Sequence, residues 1–176
     1  MNDSFESAAA PDADLRGLDA DAGALTVPAE GRLLGLDYGT RRVGVAVCDD
    51  RQKIASPLET YYRRSDEADV RFLEELASEY RVVGIVVGLP VHMSGDEGGK
   101  AAEARSFGEW VSRSTSLPVA FWDERYTTSM AEDHLRAAGL SRDRRRELRD
   151  KIAAQMILQS FIESGDRTQS PRPLRG

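Results

Sequence analysis

The stretch Arg32-Leu-Leu-Gly-Leu-Asp-Tyr-Gly-Thr-Arg-Arg-Val-Gly-Val-Ala-Val-Cys-Asp49 constrains this chain more than any other. Two short apolar runs flank Tyr38-Gly39-Thr40-Arg41. That pattern predicts strands over Leu33–Asp37 and Val43–Asp49, joined by a tight turn. Asp37 closes the first strand beside the turn. A carboxylate there packs poorly but is well placed to hold a metal ion or a phosphate-bound cation; it can also simply cap the turn. Both readings stand at this point. Gly39 and Gly44 permit positive φ or the close approach of another backbone.

The periods along the chain then alternate. Ile54–Glu59 reads as a third strand. Ser65 can cap a helix running through Tyr80, with Val70, Leu73, Leu76 and Tyr80 as its apolar stripe. Val82–Val87 is a nearly all-apolar strand, as expected when both sheet faces are covered, and Gly88-Leu89-Pro90 breaks it. A helix follows over 99–113, with Ala104, Phe107 and Val111 inward. Pro118–Trp122 reads as another buried strand, ending in Asp123-Glu124-Arg125. Two helices, 128–138 and 141–163, close the core, with Gly139 ending the first. Strands first and alternating elements after give an α/β sandwich with a mixed sheet. Residues 31–163 form the domain. Residues 1–30 and 164–176 read as disordered tails, the first rich in Ala and Asp, the second in polar residues and proline.

Charge matters here because it bears on nucleic acid as a partner. The net charge is −6, but residues 1–30 alone carry −6, and the rest holds 23 groups of each sign. An acidic tail does not exclude nucleic acid from the remainder. Ser141–Lys151 is net +3 through Arg142, Arg144, Arg145, Arg146, Arg149 and Lys151. That cluster either holds phosphates or is a solvated face with intrahelical ion pairs. Lys100 and Arg105 are weaker candidates for phosphate, and Arg41, in the turn beside Asp37, is a better one. The single cysteine, Cys48, lies inside an apolar strand. It excludes an intrachain disulfide and fits a reducing compartment. The N-terminus lacks the order of a secretory signal and no apolar run spans a bilayer. A cytoplasmic location without membrane association is expected.

Asp37, Gly88 and Glu124 all follow strand ends, where open α/β sheets form their ligand crevice. Asp150 joins them by helical spacing. Ala153, Ala154, Ile157 and Phe161 lie on its side of the last helix, so it belongs near the buried face. A carboxylate there needs a cation. Three convergent carboxylates without histidine suit a hard divalent cation, Mg²⁺ or Mn²⁺. His92 and His134 read as a polar loop residue and an exposed helix residue. Trp110 and Trp122 read as core rather than as stacking platforms.

Four segments together resemble the YqgF family, also called RuvX. These are ribonuclease H-like proteins described as Holliday junction resolvases and as nucleases that mature the small-subunit ribosomal RNA precursor. The segments are Leu36–Ala46; Val86–Pro90 with Met93-Ser94-Gly95; Asp123–Thr128; and Asp150 followed by Ala153-Ala154 and Ile157-Leu158. The resemblance spans residues 32–163. It implies a ribonuclease H-like three-layer α/β fold, with a mixed β-sheet flanked by helices. It implies that Asp37, Glu124 and Asp150 hold one or two Mg²⁺ or Mn²⁺ ions, with Asp123 and Thr40 supporting them. Arg41, Lys100, Arg125, Arg145, Arg146 and Lys151 would position nucleic acid, either precursor rRNA or branched DNA. The small ribosomal subunit becomes a candidate partner, and the protein a monomer or homodimer. Two departures stand out: Lys151 follows Asp150 where a small residue is usual, and Tyr126 replaces an aliphatic residue.

Two other readings compete. Asp37-Tyr-Gly-Thr also looks like the first phosphate loop of actin-like ATPases, but those need two such domains and this chain has room for one. A non-catalytic RNA- or ribosome-associated module is the stronger competitor.

Overall fold

The computed structural model describes residues 27–90, 98–123 and 142–164, with side chains from Leu148 onward in the last segment. Five strands form one sheet: β1 (Arg32–Tyr38), β2 (Arg42–Cys48), β3 (Ala55–Tyr62), β4 (Val82–Leu89) and β5 (Val119–Asp123). Their order is β3-β2-β1-β4-β5. β1, β2 and β3 form an antiparallel meander, whereas β4 and β5 run parallel to β1. Three helices complete the described fold: α1 (Asp66–Tyr80), α2 (Gly99–Thr115) and α3 (Arg142–Glu163).

Strand alternation sorts the side chains into two cores. Leu34, Leu36, Val43, Val45, Ile85 and Val87 face one side and pack with Leu73 and Leu76 of α1 and Phe107 and Val111 of α2. Leu33, Ala46, Cys48 and Val86 face the other side, against Ala154, Ile157, Leu158 and Phe161 of α3. The result is three layers with a mixed sheet in the middle, the α/β architecture expected. The predicted buried face of α3 is the observed one. Cys48 is buried in this second core, where its Sγ accepts the Leu33 amide at 3.2 Å. Packing reaches back to Val27, which lies against the same core, while Gln52 donates to the Pro28 and Gly31 carbonyls at 2.9 and 2.8 Å.

Most predicted elements recur with shifted ends. Ser65 caps α1 by accepting the Ala68 amide at 3.3 Å, and Arg81, at φ 54°, turns the chain into β4. β4 does not stop at Gly88: it pairs on to Leu89, opposite Asp123. β5 is half-buried rather than buried, because it is the edge strand beyond β4. On α1 the fully buried stripe is Asp69, Leu73 and Leu76, with Val70 and Tyr80 only half-buried. Trp122 packs edge-on against Phe161 at 5.4 Å and donates to Ser160 Oγ at 3.0 Å. Trp110 sits beside Phe107. Both are packing residues, as expected. The predicted helix 128–138, Gly139, His92, His134 and Tyr126 lie outside the described residues.

Candidate active site

Why two carboxylates meet here is a matter of backbone approach. Asp37 is the penultimate residue of β1, and its cross-strand partner is Gly44 on β2. Alternation turns Asp37 and Gly44 toward α3. A Cβ at Gly44 would fall inside the Asp150 carbonyl group. Gly35, two residues before Asp37, repeats the relation: a Cβ there would lie 2.7 Å from Leu158 Cβ and 2.8 Å from the Ala154 carbonyl oxygen. α3 therefore rests on bare backbone along β1 and β2. Asp150 is set down beside Asp37 by that contact.

The pair lines a cavity of about 580 Å³ rimmed by Thr40, Arg41, Arg42 and Arg149. Arg42 Nε lies 3.0 Å from Asp150 Oδ2, with the two side chains 20% and 13% exposed. Arg149 Nε is 3.8 Å from Asp150 Oδ1. Burial pushes the Asp37 carboxyl up to about 7 from 3.8, and the Asp150 charge adds to it. Arg149 and Arg42 pull the other way without prevailing. A half-buried carboxylate beside a second one calls for more positive charge than the two arginines bring.

The donor set is all oxygen. Hard divalent cations favour such ligands, and among the described residues that line this cavity there is no histidine or cysteine of the kind zinc favours. Among the described residues no three His, Cys, Asp or Glu side chains form a metal cluster; Asp37 and Asp150 are two carboxylates, and the predicted third, Glu124, lies outside the description. Its neighbour Asp123 ends β5 at the same sheet edge, since β1, β4 and β5 are parallel and Leu36↔Val87 and Leu89↔Asp123 are in register. The residues described fit a divalent cation.

The other predicted residues fall in different places. Thr40 and Arg41 are exposed in the turn and line the cavity. Lys100 is exposed in the first turn of α2, on the opposite side of the sheet from α3, and Lys151 is half-buried; neither lines the cavity. Arg145 and Arg146 lie on α3 with side chains outside the description, and Arg125 is outside it altogether. Sequence reasoning missed Arg42, although the signal was present. Arg42 shares the parity of Gly44 and Ala46 on β2, which aims it at α3. Tyr62, cross-strand from Arg42, was missed as well.

The model of the RuvX family, described as Holliday junction resolvase, matches residues 31–164. A protein of Rhodopirellula baltica is 42% identical over 137 residues, spanning 78% of this chain and 79% of the relative. One from Rhodobacter capsulatus is 44% identical over 147 residues, spanning 84% and 91%. Both bear the name "Putative pre-16S rRNA nuclease". A solved structure of RuvC from T. thermophilus with a Holliday junction substrate aligns over 82% of this chain and 99% of that one, at 17% identity and a TM-score of 0.49.

Proposed function

The chain belongs to the RuvX family, and from that premise we propose that it is a divalent-metal-dependent nuclease that hydrolyses phosphodiester bonds and trims the 5′ side of the small-subunit ribosomal RNA precursor. The observation that carries this reading is the half-buried pair Asp37 and Asp150, which line one arginine-rimmed cavity beside the close approach of α3 to Gly44. Residues 31–163 would be the catalytic unit, flanked by its two tails and working in the cytoplasm on precursor associated with the small subunit.

Asp37, Asp150 and Glu124 would hold Mg²⁺ or Mn²⁺. When bound, such an ion supplies an activated water and neutralises charge on the phosphodiester. The chain does the rest. The bare contacts of α3 on Gly35 and Gly44 set the Asp150 backbone against the strands that carry the site, which matters because misplacement by about 1 Å can cost on the order of 100-fold in rate. Arg42 orients the Asp150 carboxylate from one side. Arg41, exposed at the rim, meets a substrate phosphate. The product ends would be a 3′-hydroxyl and a 5′-phosphate.

The family description favours a second reading, resolution of four-way DNA junctions. Incubating wild type and Asp37→Asn with a 5′-extended rRNA precursor fragment and with a four-way DNA junction, in Mg²⁺ and then Mn²⁺, separates the two. Cleavage of the RNA by wild type alone supports the first reading, and cleavage of the junction alone moves the assignment to the second. Tight binding without any cleavage leaves a binding module.

A further inference from the structure

The cavity that holds the carboxylates does not end at Arg41. Thr40, Arg41 and Tyr62 also line a second cleft, of about 490 Å³, which continues to Arg64 and Ser65. We propose that Tyr62, flanked by Arg41 and Arg64, is a stacking platform for an unpaired base of the substrate strand, one step away from the scissile phosphate. The proposal rests on the nuclease reading and adds the form of its substrate: a single strand rather than a duplex.

Tyr62 is 57% exposed, and among the described residues only Ile54 is another large apolar side chain so open to solvent. Its orientation is enforced rather than incidental. Tyr61, the residue before it, turns inward and stacks on Phe72, with ring centroids 3.9 Å apart and planes within 10°. Its hydroxyl donates to Asp69 at 2.9 Å. Alternation along β3 then sends Tyr62 to the other face, beside Arg42. The backbone is pinned on the following residues as well. The Arg63 amide donates to the Arg41 carbonyl at 3.0 Å, and the Arg64 amide donates to Asp69 Oδ1 at 3.0 Å. The ring is thus exposed on a fixed backbone.

The charges divide cleanly. Arg63 is committed to buried Asp69 at 2.9 Å, and Asp66 lies 3.9 Å from the same guanidinium. Those are the two carboxylates of the cleft. Arg41 and Arg64 are exposed, and neither is ion-paired among the described residues. Two uncommitted cations beside one open aromatic face are what a single strand requires: cations for the backbone and a π-face for a base. A duplex keeps its bases stacked on each other and cannot use the ring.

The test uses the full chain in EDTA, so that turnover does not intervene. The probe is a single-stranded RNA of about 12 nucleotides, in the range of known site sizes, carrying 2-aminopurine near its centre. Tyr62→Ala should weaken binding by roughly 5- to 150-fold and abolish the stacking quench, whereas Tyr62→Phe should stay within about twofold. Arg64→Ala should lower the slope of log K against log salt by about one. A Tyr62→Ala variant that melts like wild type and binds within about twofold of it overturns the proposal. So does equal affinity for a duplex of the same sequence, failure of wild type to bind the strand, or a change only in self-association by sedimentation. Cleavage assays keep the two readings apart: if wild type cuts and Asp37→Asn does not, the nuclease stands even where the platform falls.

Discussion

Replacing Asp37 by Asn should abolish cleavage and at the same time stabilise the metal-free protein. The Asp37 carboxyl is held at about 7 in the fold, against an ordinary 3.8. The native state therefore keeps a proton that the unfolded chain has already released. This contribution to stability is fully present below about pH 4 and is lost as pH rises through 7. A difference of about three at 1.36 kcal/mol each sets a ceiling of about 4 kcal/mol on the cost of the charged form. Water at the open side of the cavity screens part of this, so a gain of about 1–3 kcal/mol is expected for Asp37→Asn at pH 8. Urea unfolding in EDTA at intervals from pH 4 to 8.5 reads it directly. The two proteins should match near pH 4 and diverge up to a plateau above pH 7. Saturating Mg²⁺ should narrow the gap by stabilising wild type alone. A gap that is independent of pH, or a wild type more stable than the variant at pH 8 in EDTA, would refute the reasoning.

Three further outcomes follow from the same contacts. Gly44→Ala places a methyl inside the Asp150 carbonyl, so α3 must lift; stability should fall by about 1–3 kcal/mol or more and cleavage by on the order of 100-fold, read by urea melts and initial rates. Asp69→Ala removes the acceptor for Tyr61, Arg63 and the Arg64 amide and leaves Arg63 only the exposed Asp66 at 3.9 Å, which should cost roughly 3–5 kcal/mol in denaturant unfolding. The Asp69 carboxyl is held below its usual range: hydrogen bonds from Arg64, Arg63 and Tyr61 outweigh the larger single effect of burial. Its contribution is present above about pH 4 and disappears as pH falls further, so acid unfolding of wild type should show a limb that Asp69→Ala lacks.

Much of this candidate site is legible in the sequence. Asp37 and Asp150 were each placed by period, one by its position at a strand end and the other by its offset from an apolar helix face. Gly44 was recognised as a position for close backbone approach. What periodicity does not give is the partner of that approach, because the contact of Gly44 with Asp150 joins elements about a hundred residues apart. Arg41 drew attention through its nearness to Asp37 in sequence. The turn consumes Arg41, however, and the first residue of β2 facing α3 is Arg42. Asp69 sits four residues before Leu73 and seven before Leu76, squarely on the α1 stripe. It was passed over because an apolar pattern is blind to a buried carboxylate whose partners, Tyr61 and Arg63, come from β3 and the residue after it. Tyr62 escaped because the sequence pattern ends the third strand at Glu59, whereas β3 pairs on to Tyr62.

Asp37 and Asp150 should jointly hold a divalent cation, and Mn²⁺ binding followed by electron paramagnetic resonance reads that directly. Wild type should bind Mn²⁺ and lose most of that affinity in Asp37→Asn and in Asp150→Asn, with Mg²⁺ competing for the same site. Wild-type affinity in both variants, with folding intact, would contradict the account.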